Sequence, residues 1–298
     1  MLDYAALSAL AAVIREGSFE RAAQALFVTP SAVSQRIRSL EERVGSALVI
    51  RGQPCRATDT GRRLCRHVDR VRLLEQELQS ALPALAPEGI TRVSLPIAVN
   101  ADSLATGFAP AVAAYAANAP VLVELLVDDQ DHTAEWLRSG AVLAAVTGTA
   151  RPPAGFNSRP LGAMRYIAAA SPECVARNFS GGVGAGSPAQ APSLVFNTKD
   201  DLQARWVRRL CHRDVELPRH AVPSPHAFVA AALAGMGWGL HPQELIASQL
   251  RDRSLVELVP ETPLDVPLYW QHARAASAMI EELSRALVAA ATRALRPP

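Results

Sequence analysis

The 298-residue sequence predicts an α + α/β chain: a small helical N-terminal unit closed by a β-hairpin, a long linker helix, and a larger two-lobed α/β domain. Three observations lead there. Residues 19–41 hold two short helical apolar stripes around a tight turn. Residues 62–82 carry one long stripe with alternating four- and three-residue spacing. From Arg92 onward, β-rich runs alternate with helical stretches, the pattern of βαβ units and a parallel sheet.

In the first unit, Ala22, Ala23 and Leu26 give the leading helix its apolar stripe. The small alanines let a second helix approach closely. Thr29 stands where an N-cap is wanted, and Pro30 takes the first helical position, where its missing N–H costs nothing. Val33, Ile37 and Leu40 then face the core. The opposite face carries Ser31, Ser34, Gln35, Arg36 and Arg38, with no acidic residue from Ser31 to Ser39. Such side chains suit phosphates and base edges in a major groove. A solvated helical hairpin would show a similar polar face. The downstream residues favour a DNA reader: Leu48–Arg51 reads as a strand, Gly52–Pro54 as a turn and Arg56–Thr58 as a return strand. That outlines a wing, with Arg51 and Arg56 placed for backbone phosphates. The first 60 residues thus read as a winged helix-turn-helix.

Charge is partitioned in the same sense. Net charge is only +2, yet residues 1–66 hold ten arginines against six acids, whereas residues 91–298 hold eighteen bases and eighteen acids. Positive charge gathers where the reading helix lies, as a phosphate-binding module needs. Cys55, Cys65, Cys174 and Cys211 are scattered without a C-x-x-C, so neither a disulfide framework, a zinc site nor any other metal or cofactor is expected. No apolar run approaches twenty residues and no leader is evident; the expectation is a soluble, cytoplasmic protein with no membrane partner.

Residues 61–89 read as a linker helix and hinge, with the helix from about Arg62 to Leu82 and the hinge from Pro83 to Gly89. Leu64, Val68, Val71, Leu78 and Leu82 form its stripe. The stripe fits a coiled-coil dimer seam, since a helix-turn-helix gains affinity by binding two half-sites. A helix lying on its own domain would show the same spacing. Residues 90–298 form the α/β domain. Val93–Val99, Pro120–Val127 and Val142–Thr147 read as strands, separated by helices at Ser103–Ala117 and Thr133–Ser139. A second alternation starts near Leu161, and Val266–Gln271 with Ala276–Leu295 is expected to return toward the first half. The glycine-rich Gly181–Gly186 lacks the lysine of a phosphate loop and reads as a surface loop.

The motif residues Ala22-Ala23, Leu26, Ser31–Ser34, Ile37, Leu40-Glu41, Gly45, Leu48, Arg51, Thr58 and Gly61 resemble the signature of LysR-type transcriptional regulators. Val13–Glu16, Phe19–Ala23, Ser31–Ile37 and Ala98–Thr106 resemble, more narrowly, the LysG/ArgP branch, which senses lysine or arginine and controls basic amino acid export. The likeness covers nearly the whole chain and weakens near residues 180–195. It implies a periplasmic-binding-protein-like effector domain, a homodimer or homotetramer on double-stranded DNA, a basic amino acid effector, and RNA polymerase as a further partner.

In open α/β sheets, ligands sit beyond the carboxyl ends of strands. Five places qualify. Asn100, Asp102 and Ser103 come first: Ser103 would open a helix whose N–H groups suit a carboxylate, or Asp102 and Ser103 would merely cap it. Asp128, Asp129 and Asp131 crowd the second strand end, as a solvated loop or as partners for a cation or a metal, though without EF-hand spacing. Thr147 is third. Asn197 and Asp200 are fourth. His226, before a later helix, is fifth or simply a surface residue. Trp238 and Trp270 read as core. The acids alone justify a cationic ligand; the resemblance makes it lysine or arginine. Competing classes are a regulator with a different effector, an architectural DNA binder of low specificity, an enzyme and a solute-binding protein. No G-x-S-x-G, H-E-x-x-H or dinucleotide fingerprint supports an enzyme.

Overall fold

A computed structural model describes residues 2–82, 93–119, 121–128, 136–137, 141–184, 186–274 and 278–297. Three helices, α1 (Tyr4–Glu16), α2 (Phe19–Ala25) and α3 (Pro30–Val44), pack on a core of Leu7, Leu10, Val13, Ala22, Ala23, Val33, Ile37, Leu40 and Leu48. The expected pair is α2 and α3; α1 supplies the third wall. The α3 start is as expected. The Thr29 hydroxyl accepts the Ala32 N–H at 3.2 Å, and Pro30 follows it.

The wing is also present, as β1 (Val49–Ile50) paired antiparallel with β2 (Arg56–Ala57). Its fastening explains several signature residues. Glu41 of α3 accepts the N–H groups of Leu48 and Val49 on one carboxylate oxygen, at 2.7 and 3.3 Å. Thr58 accepts the Gly61 N–H at 3.1 Å and donates to the Ala47 carbonyl at 2.8 Å. A Cβ on Gly61 would fall 2.1 Å from the Leu48 carbonyl oxygen, so only glycine lets the next helix start so close to the wing.

That helix, α4 (Asp59–Ala81), begins three residues before the expected Arg62, because Thr58 is its cap. Its stripe is divided. Val68 is buried in the N-terminal core and Leu64 packs against that core, so these two are not free for a partner chain. Val71 is half-buried, and α4 also touches the first strand of the next domain. Only beyond it do leucines stand out: Leu74, Leu78 and Leu82 are each about half exposed. The expected seam at Leu64 and Val68 is therefore corrected. An apolar stripe at three- and four-residue spacing covers a helix's own domain as readily as a partner, and this one does the first at its amino-terminal half. The expected hinge, Pro83–Gly89, lies outside the described residues.

The α/β domain is built on a seven-stranded sheet. β3 (Val93–Asn100) lies parallel to both β4 (Val121–Asp128) and β5 (Ala144–Thr147). Between β3 and β4, a short helix (Ala101–Ser103), a π-helical segment (Leu104–Phe108) and a further helix (Ala109–Ala116) form the crossover. The expected helix at Thr133–Ser139 falls mostly outside the described residues. Two long antiparallel strands then join the lobes: β6 (Phe156–Ala170) and β11 (Leu264–Ala273), the latter also paired with β5. The second alternation is expected from near Leu161, and β6 begins five residues earlier, at Phe156. Pro160 and Gly162 fall in its outer half, where burial does not alternate: Phe156 is buried, Asn157 and Pro160 are exposed, and Ser158, Arg159 and Leu161 lie between.

In the second lobe, β9 (Gly239–Pro242) and β10 (Val256–Glu257) pair with β6, while β7 (Ser193–Val195) and β8 (Arg219–Ala221) form a parallel pair. The final helix, Ala278–Ala294, returns to pack on the first lobe's crossover, as expected. Trp206, Trp238 and Trp270 are fully buried core residues, and Trp270 donates to Ser284 at 2.7 Å. Among the described residues, no helix is long and apolar enough to cross a membrane.

Candidate DNA interface and effector cleft

The outer face of α3 presents Ser31, Gln35 and Arg38 to solvent, with Ser34 and Arg36 half-buried beside them. Thr29 is exposed, but its hydroxyl is committed to the helix cap and to Ser31, 3.0 Å away. On the wing, Arg51 and Arg56 are exposed. The Arg51 guanidinium lies 5.2 Å from the centre of the Phe19 ring, a cation–π contact that holds it beside α2. All eight expected DNA-facing residues thus fall on α3, its cap or the wing.

In the α/β domain, strand register brings one set of candidates together. Asn100 pairs with Asp128 across β3 and β4, and Ala98 pairs with Ala145, so Asn100, Asp128 and Thr147 share the carboxyl end of the sheet. Asn100 and Ser103 are buried, and Thr147 is wholly so. The helix opens at Ala101 with Asn100 as its N-cap, not at Ser103, and no side chain caps it. Neither Asp102 nor Ser103 is therefore the cap. Asp102 instead accepts the Tyr166 hydroxyl at 2.7 Å, a bond between the first strand end and the long strand β6. Thr106 bonds back to the Asp102 carbonyl at 2.9 Å, and its backbone (φ −108°, ψ −109°) breaks the regular helix there. Tyr166 escaped the sequence reading, since nothing local links positions 64 residues apart.

The remaining candidates fare differently. Asp129 and Asp131 lie outside the described residues, as does the side chain of Asp128. Asp200 is turned inward: it accepts the Phe196 N–H at 2.7 Å and the Leu202 N–H at 3.1 Å. Burial pushes its carboxyl up from the ordinary value, and those backbone bonds pull it back. Asn197 accepts the N–H groups of Lys199 and Asp200. Both side chains thus close their own loop. Short polar residues after a strand compete for nearby backbone donors, and here they win them. His226 is exposed on the first turn of the helix Pro225–Leu233, as a surface residue would be.

Comparison with known proteins agrees with both halves. Residues 4–62 match the model of the bacterial regulatory helix-turn-helix protein of the lysR family, and residues 92–292 match that of the LysR substrate binding domain. The chain belongs to the LysR family. It is a DNA-binding transcriptional regulator of the ArgP/LysG branch. The HTH-type transcriptional regulator ArgP of Pseudomonas fluorescens is 48% identical over 274 residues, which is 92% of this chain and 91% of that one. The crystal structure of ArgP from Mycobacterium tuberculosis is 44% identical, with a TM-score of 0.85 and full coverage of both chains. The structure of full-length LysG from Corynebacterium glutamicum, with the effector Arg bound, is 37% identical with a TM-score of 0.73, covering 99% of this chain and 100% of that one.

Proposed function

We propose that this LysR-family regulator senses a basic amino acid, arginine or lysine, and controls a gene for basic amino acid export. The observation that carries this is the likeness, over almost its full length, to a LysG with Arg bound. The strand-end cluster supports it. Asp102 offers a carboxylate at the sheet's carboxyl end, beside the buried polar residues Asn100, Ser103 and Thr147. Asp128, Asp129 and Asp131 would add negative charge nearby. The ligand's ammonium groups would meet carboxylates, and its carboxylate the N–H groups at the Ala101 turn. Domain boundaries near residues 60 and 90 would separate reader, linker and sensor. Assembly as a homodimer or homotetramer, and contact with RNA polymerase, complete the reading.

The test is calorimetric titration of the full-length protein with arginine, lysine and norleucine. Arginine or lysine should bind, and norleucine, which lacks the side-chain ammonium, should bind at least tenfold more weakly, about 1.4 kcal/mol. Equal binding of lysine and norleucine would end the basic-ligand reading and leave the regulator with another effector.

For DNA, Gln35 and Arg38 would reach base edges, while Ser31, Ser34, Arg36, Arg51 and Arg56 hold the backbone and Thr29, as the cap, fixes the start of the helix that carries them. Arg38→Ala should cost about 1–3 kcal/mol and relax sequence preference at one position. Arg51→Ala should weaken all duplexes alike and flatten the salt dependence. Mobility-shift titrations at several salt concentrations separate the two. An Arg38→Ala protein with undiminished selectivity would displace that residue from the groove.

A further inference from the structure

The turn between α2 and α3 holds an anomaly that the fold does not explain. The Val28 N–H bonds to the Ala23 carbonyl at 3.0 Å and the Phe27 N–H to the Gln24 carbonyl at 3.2 Å. These two bonds are the six-to-one and five-to-two pair of a Schellman ending. That ending places its next residue in the left-handed region, where glycine is usual and asparagine next. Here the residue is Phe27, at φ 54°. Its side chain gains nothing from the protein in return: it is 94% exposed, against at most 55% for any other exposed large hydrophobic residue described. Single exposed apolar residues need no explanation. An aromatic ring that is both bare and seated on a glycine position does, because every intramolecular consideration favours a smaller residue there.

Location says what meets the ring. Phe27 stands two residues before the Thr29 cap of the reading helix, whose exposed polar face carries Ser31 and Gln35. The surface this end of the domain works against is duplex DNA. In a major groove, the apolar feature that distinguishes one base pair from another is the C5 methyl of thymine, and phenylalanine is among the side chains that contact it. We propose that Phe27 reads a thymine methyl at the edge of the half-site, as a specificity residue beside Gln35 and Arg38. The inference rests on the docking of α3 proposed above, and its test separates the two.

The probe is a duplex selected from a random-sequence pool by the full-length wild-type protein, with each thymine in turn replaced by uracil to remove only the methyl. One uracil position should weaken wild-type binding about five- to tenfold, within the range for a single changed base pair. Phe27→Ala should weaken binding to the thymine duplex by a similar factor and show no further loss at that uracil. Phe27→Leu, which keeps an apolar side chain, should retain part of the preference. Phe27→Gly should bind like Phe27→Ala yet melt no lower than wild type, because it removes the strained position's side chain. A structural role would move melting and affinity together, and that result would overturn the proposal. So would equal loss on thymine and uracil duplexes, which would mark a contact with sugar. Unchanged affinity in Phe27→Ala, with Arg38→Ala impaired, would overturn it while leaving the docking intact. Unchanged affinity in both would remove the docking and the proposal together.

Discussion

Leu78→Glu should break the proposed α4-paired oligomer while both domains stay folded. Leu74, Leu78 and Leu82 lie along one face of the carboxyl-terminal half of α4, each about half exposed in the single chain. Three leucines on one helix face call for cover, and pairing of two α4 helices is the cover proposed here. A glutamate at Leu78 would face its twin across that seam, and burying an unpaired carboxylate costs several kcal/mol. Losing the seam uncouples the two half-sites, so affinity for a palindromic operator should fall on the order of 100-fold or more. Val68→Ala is the informative contrast. Val68 is 3% exposed within the core of the DNA-binding domain, so its truncation should lower that domain's stability and leave assembly alone. Sedimentation equilibrium and thermal melting read the two outcomes. An undisturbed oligomer in the Leu78→Glu protein would place the interface elsewhere.

That contrast also shows where a sequence is silent. The stripe Leu64, Val68, Val71, Leu78, Leu82 is visible as a period, but a period names a face and not its partner. Elements whose determinants are local were legible: the Thr29 cap with Pro30, the wing around Gly52–Pro54, and the alternation that becomes β3, β4 and β5. Gly61 was visible as a signature residue, yet its reason is a carbonyl thirteen positions earlier, and only the fold brings that oxygen near. The long strand β6 was only partly read because burial does not alternate over Phe156–Leu161.

The candidate site divides along the same line. The rule that ligands gather at strand ends picked out Asn100 and Thr147, and parallel register places those two at one end of the sheet, with Asp102 two residues beyond Asn100. At Asn197 and Asp200 the same rule met a local competitor. There the acid stands beside the backbone N–H groups of Phe196 and Leu202, and it closes the loop on them instead. Tyr166 was out of reach, since its contact with Asp102 depends on how the two lobes are joined.

Asp102→Asn should abolish most of the affinity for arginine. The substitution keeps the size and most of the hydrogen-bonding capacity of Asp102 but removes its charge. If the carboxylate pairs with a ligand ammonium inside a closed cleft, losing one partner costs about 2–5 kcal/mol, or roughly 30- to several thousand-fold. Tyr166→Phe isolates the supporting bond. It leaves the charge in place and frees the carboxylate from the hydroxyl that now holds it at 2.7 Å, so affinity should fall only about tenfold, the low end of what one hydrogen bond to a charged group is worth. The ordering matters more than either magnitude. A ligand-pairing Asp102 predicts a large loss for the asparagine variant, a small one for the phenylalanine variant, and little change in melting without arginine. An Asp102 that only ties the first strand end to β6 predicts the reverse: both variants melt earlier, and both bind arginine as the wild type does. Calorimetric titration paired with melting curves for the two proteins decides between these. Reciprocity extends the expectation to DNA. If arginine shifts the regulator between two operator-bound states, then Asp102→Asn should fix the footprint in the ligand-free pattern at arginine concentrations that change the wild-type footprint. A footprint that still responds to arginine in the variant would remove Asp102 from the effector site.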